Sequence, residues 1–347
     1  MRAVVYCGPK SVQVASVPDA RIEAPTDALV RIALSAICGT DLHLISGRVA
    51  GVAPGATLGH EFVGEVIEVG AAVQRFRRGD HVMGSDFTAC GRCRWCERGD
   101  HWECPQREVF GSGSAFGAVL GGAQAELLRV PLADTTLAPV PPSCSDEAAI
   151  FIGDNLAAGW VAIERAMLTP GESVAVVGGG AVGQLTALSA QTAGTGVIVL
   201  VEPNAERRRF AEAHGSLATT PEQALELIKS VTQGDGADVV VDCVGGNGPL
   251  SAAFDLVRRR GRVVSTGVHV EAAWDFPVGR GFNDELTLTF ALGDSIRLRS
   301  RLAALVVSRA LDPAVVISKR VPLEAVPQAY QDLAAQKLLK VVIDPRH

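Results

Sequence analysis

Half of the chain's eight cysteines fall within fifteen residues, a spacing that indicates a metal site rather than dispersed disulfides. These four are Cys90, Cys93, Cys96 and Cys104. Four thiolates on one loop supply the ligand number and softness that a closed tetrahedral zinc site requires. The alternative, a set of reduced and buried cysteines, fits poorly because the intervening residues are mostly polar. Since no ligand position is left for a substrate, we predict a structural zinc ion.

A glycine-rich turn follows the short apolar run Val174 to Val177. The turn has the pattern Gly-x-Gly-x-x-Gly and opens an apolar segment that is predicted to be helical. Glycines permit the tight turn, and the backbone N–H groups at the start of the helix can then approach a pyrophosphate. The residues predicted to contact a dinucleotide are Gly178, Gly180, Ala181, Val182 and Gly183. A glycine-rich turn without a ligand is the alternative interpretation.

Glu202 ends the next predicted strand, about twenty residues past the glycine turn. A carboxylate at this position can accept hydrogen bonds from the adenosine ribose hydroxyls, and it would repel a 2′-phosphate. NAD is therefore favoured over NADP. The basic run Arg207 to Arg209 leaves the choice open, because a nearby cation is able to hold a phosphate. The other interpretation of this run is a solvated helix face.

Two shorter motifs place further metal-ligand types in the first half of the chain. Cys38-Gly-Thr40-Asp-Leu-His43 offers a thiolate and an imidazole, and Gly59-His60-Glu61 offers an imidazole and a carboxylate. Taken singly, each has an ordinary structural explanation. A lone buried cysteine behaves as a small hydrophobe, and a lone histidine is more often a core residue than a metal ligand.

The elements that must position these residues belong to a chain of two-domain size. It has 347 residues, of which 48% are hydrophobic and 20% are charged, so it can bury a sizeable core. Its formal net charge of −6 argues against a nucleic-acid partner, since neutralising phosphates requires a basic face. The first residues lack the apolar core of a secretory signal, so we expect a cytoplasmic protein.

Apolar periodicity divides the chain into two regions. Up to about Asp146, short β-type runs separated by Gly, Pro and Asp predict a mainly antiparallel β region. Beyond it, helical segments alternate with strands, which predicts a parallel sheet wrapped by helices. The uncharged stretch 173–201 is long enough to span a membrane, but its internal glycines and polar residues indicate strand, turn, helix and strand. We therefore expect no membrane-spanning segment.

Taken in order, these motifs and the segment Gly261-Arg-Val-Val resemble the zinc-dependent medium-chain alcohol dehydrogenase family, and the resemblance covers essentially the whole chain. The resemblance implies an α/β protein with two domains. Residues 1–154 and 293–347 would form a GroES-like, β-rich catalytic domain. Residues 155–292 would form a Rossmann domain with a doubly wound parallel sheet. The nicotinamide would then lie over a catalytic zinc in the cleft between the domains.

The resemblance also implies a ligand set for this second zinc. Cys38, His60 and Asp154 would bind it, Asp154 fitting the subgroup with an aspartate ligand, and Glu61 would take a transient fourth position. Such a set would leave one position open, where zinc could act as a Lewis acid and lower the pKa of a bound alcohol, so that hydride transfer to the nicotinamide would be favoured. Thr40 would accept the alcohol proton and pass it through the nicotinamide ribose to His43. Turn formation and helix capping alone are the alternative explanation of these two residues.

Further assignments follow from the resemblance. Lys340 stands where relatives carry a basic residue near the cofactor pyrophosphate, and an exposed lysine is the alternative. The segment 109–124 is similar to a loop of the formaldehyde dehydrogenase and dismutase-like branch, and we expect it near the structural zinc or the cleft. Relatives are dimers or tetramers, so we expect a homodimer or homotetramer. Cys7, Cys144 and Cys243 receive no role.

The expected activity is reversible NAD-dependent interconversion of a small primary or secondary alcohol and its carbonyl product, with two zinc ions per chain. A formaldehyde dehydrogenase, a dismutase and a polyol dehydrogenase are enzymatic alternatives. A non-catalytic NAD-binding regulatory protein is disfavoured because Cys38, His60 and Asp154 are all present. A zinc-knuckle nucleic-acid binder would need a basic field that this acidic chain lacks.

Overall fold

The computed structural model describes residues 1–346 and divides the chain into two compact units. The first unit contains residues 1–157 and the C-terminal segment from Asp294 onward. The second unit contains residues 158–293. We predicted that the first domain would end at residue 154 and resume at residue 293. In the structure, the first unit ends three residues later, at 157, and resumes one residue later, at 294.

Fifteen strands, twelve α-helices and four short 3-10 helices account for the regular structure of the described residues. The strands are β1 (Arg2–Gly8), β2 (Ser11–Ser16), β3 (Ala28–Ile37), β4 (Phe62–Val69), β5 (His81–Gly84), β6 (Leu127–Val130), β7 (Leu137–Pro139), β8 (Val174–Val177), β9 (Ile198–Val201), β10 (Leu217–Thr219), β11 (Ala237–Asp242), β12 (Val257–Ser265), β13 (Thr287–Phe290), β14 (Lys319–Pro322) and β15 (Val341–Asp344). The helices are α1 (Gly39–Ile45), α2 (Arg94–Glu97), α3 (Ala133–Thr136), α4 (Asp146–Ile152), α5 (Asn155–Arg165), α6 (Ala181–Thr192), α7 (Ala205–Ala213), α8 (Ala224–Val231), α9 (Asn247–Leu256), α10 (Val278–Asn283), α11 (Ser295–Val307) and α12 (Val326–Ala334).

The first unit is built around a mixed sheet with the strand order β14-β15-β3-β4-β5-β7, to which β6 adds by pairing with β3. Only β14 and β15 run parallel, and the other pairs of this sheet are antiparallel. Strands β1 and β2 form a separate antiparallel hairpin. The predicted antiparallel β region is therefore confirmed. Strand β15 brings the C-terminal segment into this sheet, directly beside the strand that leads to Cys38.

The second unit contains a six-stranded parallel sheet with the order β10-β9-β8-β11-β12-β13. Renumbered within the unit this order is 3-2-1-4-5-6, the doubly wound arrangement. All four residues of β8 are buried, as expected for a central parallel strand covered on both faces. Ligands of such sheets bind where the order reverses, at the carboxyl ends of β8 and β11. The predicted Rossmann domain is confirmed.

The uncharged stretch 173–201 folds as β8, a glycine turn, α6 and β9. Its strands are paired within the parallel sheet, so its apolar residues are buried by protein rather than by lipid. Across residues 1–346, the helices all fall short of the combined length and apolarity that a membrane crossing requires.

Candidate active site and metal centres

The four clustered cysteines converge, with all their sulfur atoms within 4.8 Å of one another. The Sγ atom of Cys96 lies 3.5 Å from that of Cys93 and 4.0 Å from that of Cys90. These values bracket the ~3.8 Å edge of a tetrahedron with ~2.3 Å zinc–sulfur bonds, and they far exceed the ~2.05 Å of a disulfide. All four are free thiols. The loop therefore fits the predicted structural zinc.

Several contacts hold this loop in shape. The backbone N–H groups of Cys90 and Gln106 donate to the Sγ atom of Cys104, at 3.3 and 3.4 Å. The backbone N–H of His101 donates to Asp294 at 2.8 Å, and the other oxygen of Asp294 caps helix α11. Trp102 packs between the rings of Phe87 and Phe116, with centroids 5.2 and 6.4 Å away. Because Phe116 belongs to segment 109–124, that segment lies beside the four-cysteine site, as expected.

The second cluster brings together residues far apart in the sequence. Cys38 follows β3, His60 and Glu61 precede β4, and Asp154 lies between α4 and α5. One ligand atom of each lies within 4.8 Å of the others. Three of them are almost fully buried, and Asp154 keeps 16% of its side chain exposed. The predicted catalytic ligand set is thus assembled in one place.

Asp41 contacts two residues of this cluster, Cys38 and His60, and was not predicted as a site residue. One of its oxygens accepts the backbone N–H of Cys38 at 2.9 Å, and the other lies 3.4 Å from Nδ1 of His60. A carboxylate on Nδ1 leaves Nε2 of His60 as the ligand atom, and Nε2 lies 3.3 Å from Asp154. Gln124 donates to Asp41 at 3.2 Å and secures its carboxylate. The sequence feature that could have predicted this role of Asp41 is an acidic residue in the first helical turn after Cys38.

The structure corrects the prediction for Lys340, whose side chain is only 1% exposed. Its ammonium group donates to Glu61 Oε2 at 2.5 Å and to Asn155 Oδ1 at 2.9 Å. The amide of Asn155 in turn donates to Asp154 at 2.6 Å and to the sulfur of Cys38 at 3.5 Å. Lys340 is therefore neither an exposed lysine nor open to a pyrophosphate. The pairing of β15 with β3 places it inside the metal cluster.

The electrostatics of the cluster favour a bound cation. Burial raises the pKa of the Cys38 thiol, and the Asp154 carboxylate raises it further. Burial also raises the pKa of Glu61 to about 6, although Lys340 opposes this shift. Oxygen Oε1 of Glu61 is buried without a hydrogen-bond partner among residues 1–346. Because a cation would stabilise the thiolate and the carboxylates together, and because S, N and O donors are zinc's ligand types, the cluster fits zinc.

Thr40 lies beside this cluster on helix α1, which also carries His43. The Oγ1 atom of Thr40 is 3.8 Å from Cys38 Sγ. The N-terminus of α1 is capped by Asp41, which accepts the N–H of Cys38, so capping does not account for Thr40. Residues three apart share a helix face, which places His43 on the side of Thr40. Burial lowers the pKa of His43, and Arg48 adds to this effect.

The three glycines of the Gly-x-Gly-x-x-Gly turn meet three different structural requirements. Gly178 has φ +97°, in the left-handed region that favours glycine. A Cβ on Gly183 would lie 1.8 Å from the carbonyl oxygen of Gly178, so the helix packs on the strand at a distance that only glycine allows. A Cβ on Gly180 would meet no atom within 4 Å, and the backbone there is open to a ligand. This combination fits a dinucleotide pyrophosphate.

Glu202 lies against this turn and is 3% exposed. Its carboxylate accepts the backbone N–H groups of Gly179 and Asn204, at 2.7 and 2.8 Å. A guanidinium nitrogen of Arg207 lies 3.9 Å from it, and this side chain is only 16% exposed. Arg208 donates to the carbonyl oxygens of Glu202 and Pro203. The interpretation of the basic run as a solvated face was therefore wrong for its first two residues, which pack against the Glu202 segment, and holds for Arg209.

The second unit has a doubly wound parallel sheet with a dinucleotide turn, and the first unit has one Cys–His–Asp cluster and one four-cysteine cluster. Together these features define the class of zinc- and nicotinamide-dependent oxidoreductases. Comparison with known protein families supports this class. Residues 24–142 match the alcohol dehydrogenase GroES-like domain, and residues 181–307 match the zinc-binding dehydrogenase domain.

Individual relatives span nearly the full chain. A protein of Mycobacterium tuberculosis described as a probable zinc-binding alcohol dehydrogenase is 36% identical over 337 residues, which are 97% of this chain and 86% of that one. The structure of alcohol dehydrogenase TADH from Thermus sp. ATN1 is 38% identical, with a TM-score of 0.94 and 99% of each chain covered. A dehydrogenase structure from Sinorhizobium meliloti bound to NADP is 28% identical, with a TM-score of 0.86 and 99% of each chain covered. The chain belongs to the zinc-dependent medium-chain alcohol dehydrogenase family.

Proposed function

We propose that the protein is an NAD-dependent alcohol dehydrogenase for small primary or secondary alcohols, with one catalytic and one structural zinc per chain. The observation that most supports this is the convergence of Cys38, His60 and Asp154 on one point. When bound, zinc would act as a Lewis acid on the substrate oxygen, and the nicotinamide would accept the hydride.

The chain's own residues orient the ligands and move the proton. Asp41 lies beside Nδ1 of His60 and accepts the N–H of Cys38, and Asn155 holds both Asp154 and the sulfur of Cys38. Thr40 Oγ1 accepts the proton of the substrate hydroxyl, which it can reach because it lies beside the Cys38 ligand. His43, one turn further along the same helix face, is the titratable group that receives this proton.

Metal analysis and an alcohol panel test this function. We expect about two zinc ions per purified chain and NAD-dependent absorbance changes with short primary or secondary alcohols, reversed with the matching aldehydes and ketones. One zinc or none would contradict the two-site proposal. A protein that retained both zinc ions but oxidised no alcohol would contradict the assigned reaction. Light scattering of the same sample tests the homodimer or homotetramer that we infer from the family resemblance.

We expect Glu202→Ala to reduce the preference for NAD over NADP, measured as the ratio of kcat/KM for the two coenzymes. The carboxylate lies at the glycine turn, where it can hydrogen-bond the ribose hydroxyls and repel a 2′-phosphate. Loss of one charged hydrogen bond and of the repulsion predicts a change in the ratio of roughly 10–100-fold.

The matched control for this variant is Glu206→Ala, which removes an exposed carboxylate from the start of α7. It should leave the coenzyme ratio unchanged. If Glu202→Ala and the unmodified protein had the same coenzyme ratio, residues other than Glu202 would determine the preference for NAD. The test is informative because one structural relative of this chain is bound to NADP.

A further inference from the structure

Side chains at the carboxyl ends of β11 and β12 form a hydrogen-bonded chain that the proposed reaction does not use. Asp242 ends β11, Ser265 ends β12, and His269 follows four residues later. The hydroxyl of Ser265 donates to Oδ2 of Asp242 at 2.7 Å, and it lies 2.7 Å from Nε2 of His269. The side chain of Asp242 is fully buried, and that of His269 is 25% exposed. All three residues belong to the second unit.

This chain of side chains holds the loop that follows β11. Oxygen Oδ1 of Asp242 accepts the backbone N–H groups of Val244 and Gly245, each at 3.0 Å. The next backbone N–H, that of Gly246, donates to Nδ1 of His269 at 3.2 Å. Two side chains therefore bind three consecutive N–H groups of the loop.

The direction of these bonds determines which ring nitrogen of His269 carries the proton. Because Nδ1 accepts from Gly246, the proton of the neutral ring is on Nε2, which then donates to the hydroxyl of Ser265. Ser265 in turn donates to Asp242. Each donor thus has its acceptor, and both nitrogens of the imidazole are used.

Loop 243–246 depends on these bonds because its own backbone gives it little rigidity. Gly245 and Gly246 have φ values of +80° and +82°, in the left-handed region that favours glycine. Glycine loses more conformational freedom on ordering than other residues, so two in succession oppose a single loop conformation. The segment 266–269 packs directly on the loop, since a Cβ on Gly267 would lie 2.0 Å from the backbone nitrogen of Gly245. The hydrogen bonds between the two segments therefore select the conformation that the loop keeps.

Loop 243–246 also forms one side of the place where a dinucleotide would bind. The strand order reverses between β8 and β11, and ligands of such sheets bind at the carboxyl ends of these strands. The backbone N–H of Cys243 donates to the carbonyl oxygen of Val177, the last residue of β8, at 2.9 Å. A Cβ on Gly178 would lie 2.4 Å from Cγ2 of Val244. The loop that the side chains hold is therefore in contact with the glycine turn.

We propose that His269 is a positioning residue for the coenzyme, acting through loop 243–246, which its hydrogen bonds hold in one conformation. This inference rests on the proposed NAD-dependent function. The residue acts through the loop and not through a contact with the coenzyme. When its two bonds are lost, the loop populates other conformations, and the affinity for coenzyme falls with the fraction of molecules that keep the competent one. Since saturating coenzyme restores that conformation, the loss should fall on KM for NAD rather than on kcat.

The variant His269→Leu, which removes both bonds of the imidazole, tests this role. We expect the Kd for NADH, measured by fluorescence titration, to rise about tenfold, since each lost hydrogen bond changes the population of the ordered loop by roughly 2–10-fold. KM for NAD should rise in parallel, while kcat at saturating NAD stays within about twofold. Hydrogen exchange of the coenzyme-free variant should show faster exchange of the amides in loop 243–246.

Two conservative variants separate the two bonds of His269. Asparagine can place an oxygen near the position of Nδ1 and keep the bond from Gly246, whereas glutamine can place an N–H donor near the position of Nε2 and keep the bond to Ser265. Each should recover part of the affinity that the leucine variant loses. His214→Leu is the matched control, because its imidazole lies in the same unit and bonds to the carbonyl oxygen of Phe210, four residues earlier. It should leave the Kd unchanged.

The outcomes distinguish the role of His269 from the function on which it rests. If His269→Leu binds NADH as tightly as the unmodified protein and its loop amides exchange at the same rate, the positioning role is wrong and the coenzyme assignment stands. A fall in kcat with an unchanged KM for NAD also overturns it. An unmodified protein that binds neither NADH nor NADPH overturns the proposed function itself.

The conservative variants decide between positioning and a general structural role. A raised Kd in His269→Leu with partial recovery in the asparagine or the glutamine variant supports the inference. An equal loss in all three variants overturns it. If the leucine variant does not fold, a Kd that is unchanged in both conservative variants overturns the inference, and an increase in either one supports it.

Discussion

Replacing Asp154 by alanine is expected to lower kcat/KM for alcohol oxidation by about 10³-fold or more while leaving NADH binding intact. Asp154 is one of three protein ligands in the Cys38 and His60 cluster, and its carboxylate also anchors the amide of Asn155. Its removal deprives a catalytic zinc of a charged ligand, and several kcal/mol of transition-state stabilisation depend on that metal. The glycine turn that would hold the coenzyme lies in the other unit, so its affinity should not change.

Steady-state kinetics, zinc analysis and NADH fluorescence titration measure these effects on one preparation. Asp146→Ala is the matched control, because it removes a carboxylate from the neighbouring helix α4 that pairs with His81 outside both metal clusters. It should retain activity and zinc. Full activity in Asp154→Ala would mean that another residue is the third ligand.

Replacing Cys96 by serine is expected to lower the zinc content from about two ions to about one and to destabilise the protein. Cys96 is buried, its sulfur lies within 4.0 Å of those of Cys90 and Cys93, and its loop packs through Trp102 on Phe87. A structural zinc contributes its binding energy to folding. Loss of about 3 kcal/mol would lower the midpoint of thermal unfolding by roughly 5–10 °C.

Calorimetry with and without a chelator tests this second expectation. The control is Cys144→Ser, which changes a partly exposed thiol outside both clusters. The chelator should lower the midpoint of the control and of the unmodified protein, and it should have a smaller effect on Cys96→Ser. A Cys96→Ser variant that kept two zinc ions and an unchanged midpoint would contradict the structural role of this loop.

The two motifs that could be predicted with their detailed roles are local in sequence. The four-cysteine loop and the turn 178–183 each place their functional groups within fifteen consecutive residues. Over such distances, residue type and spacing nearly determine the geometry, because a loop has few ways to bring four thiols together and a glycine turn has few alternatives. The parallel sheet of the second unit also followed from the alternation of strands and helices in the sequence, whereas its strand order did not.

The surroundings of the catalytic cluster were less predictable. Lys340 was expected at a pyrophosphate or in solvent, and it is buried against Glu61, 279 positions away in the chain. Its position depends on the pairing of β15 with β3, a contact that closes only when the C-terminal segment returns to the first unit. Asn155 and Gln124 likewise acquire their roles from distant partners. Single polar residues carry no spacing signal, so their contacts could not be inferred from the chain alone.

The sequence by itself determined the types of chemistry present: soft metal ligands, a phosphate-binding turn, an acidic residue at the ribose position and a Cys–His–Asp set recognised through the family. The tertiary structure alone decided which polar side chains surround that set and how Lys340 compensates the buried Glu61. The physical reason is that ligand types follow from local residue identity, whereas charge compensation and substrate contacts follow from burial, which distant segments of the chain create together.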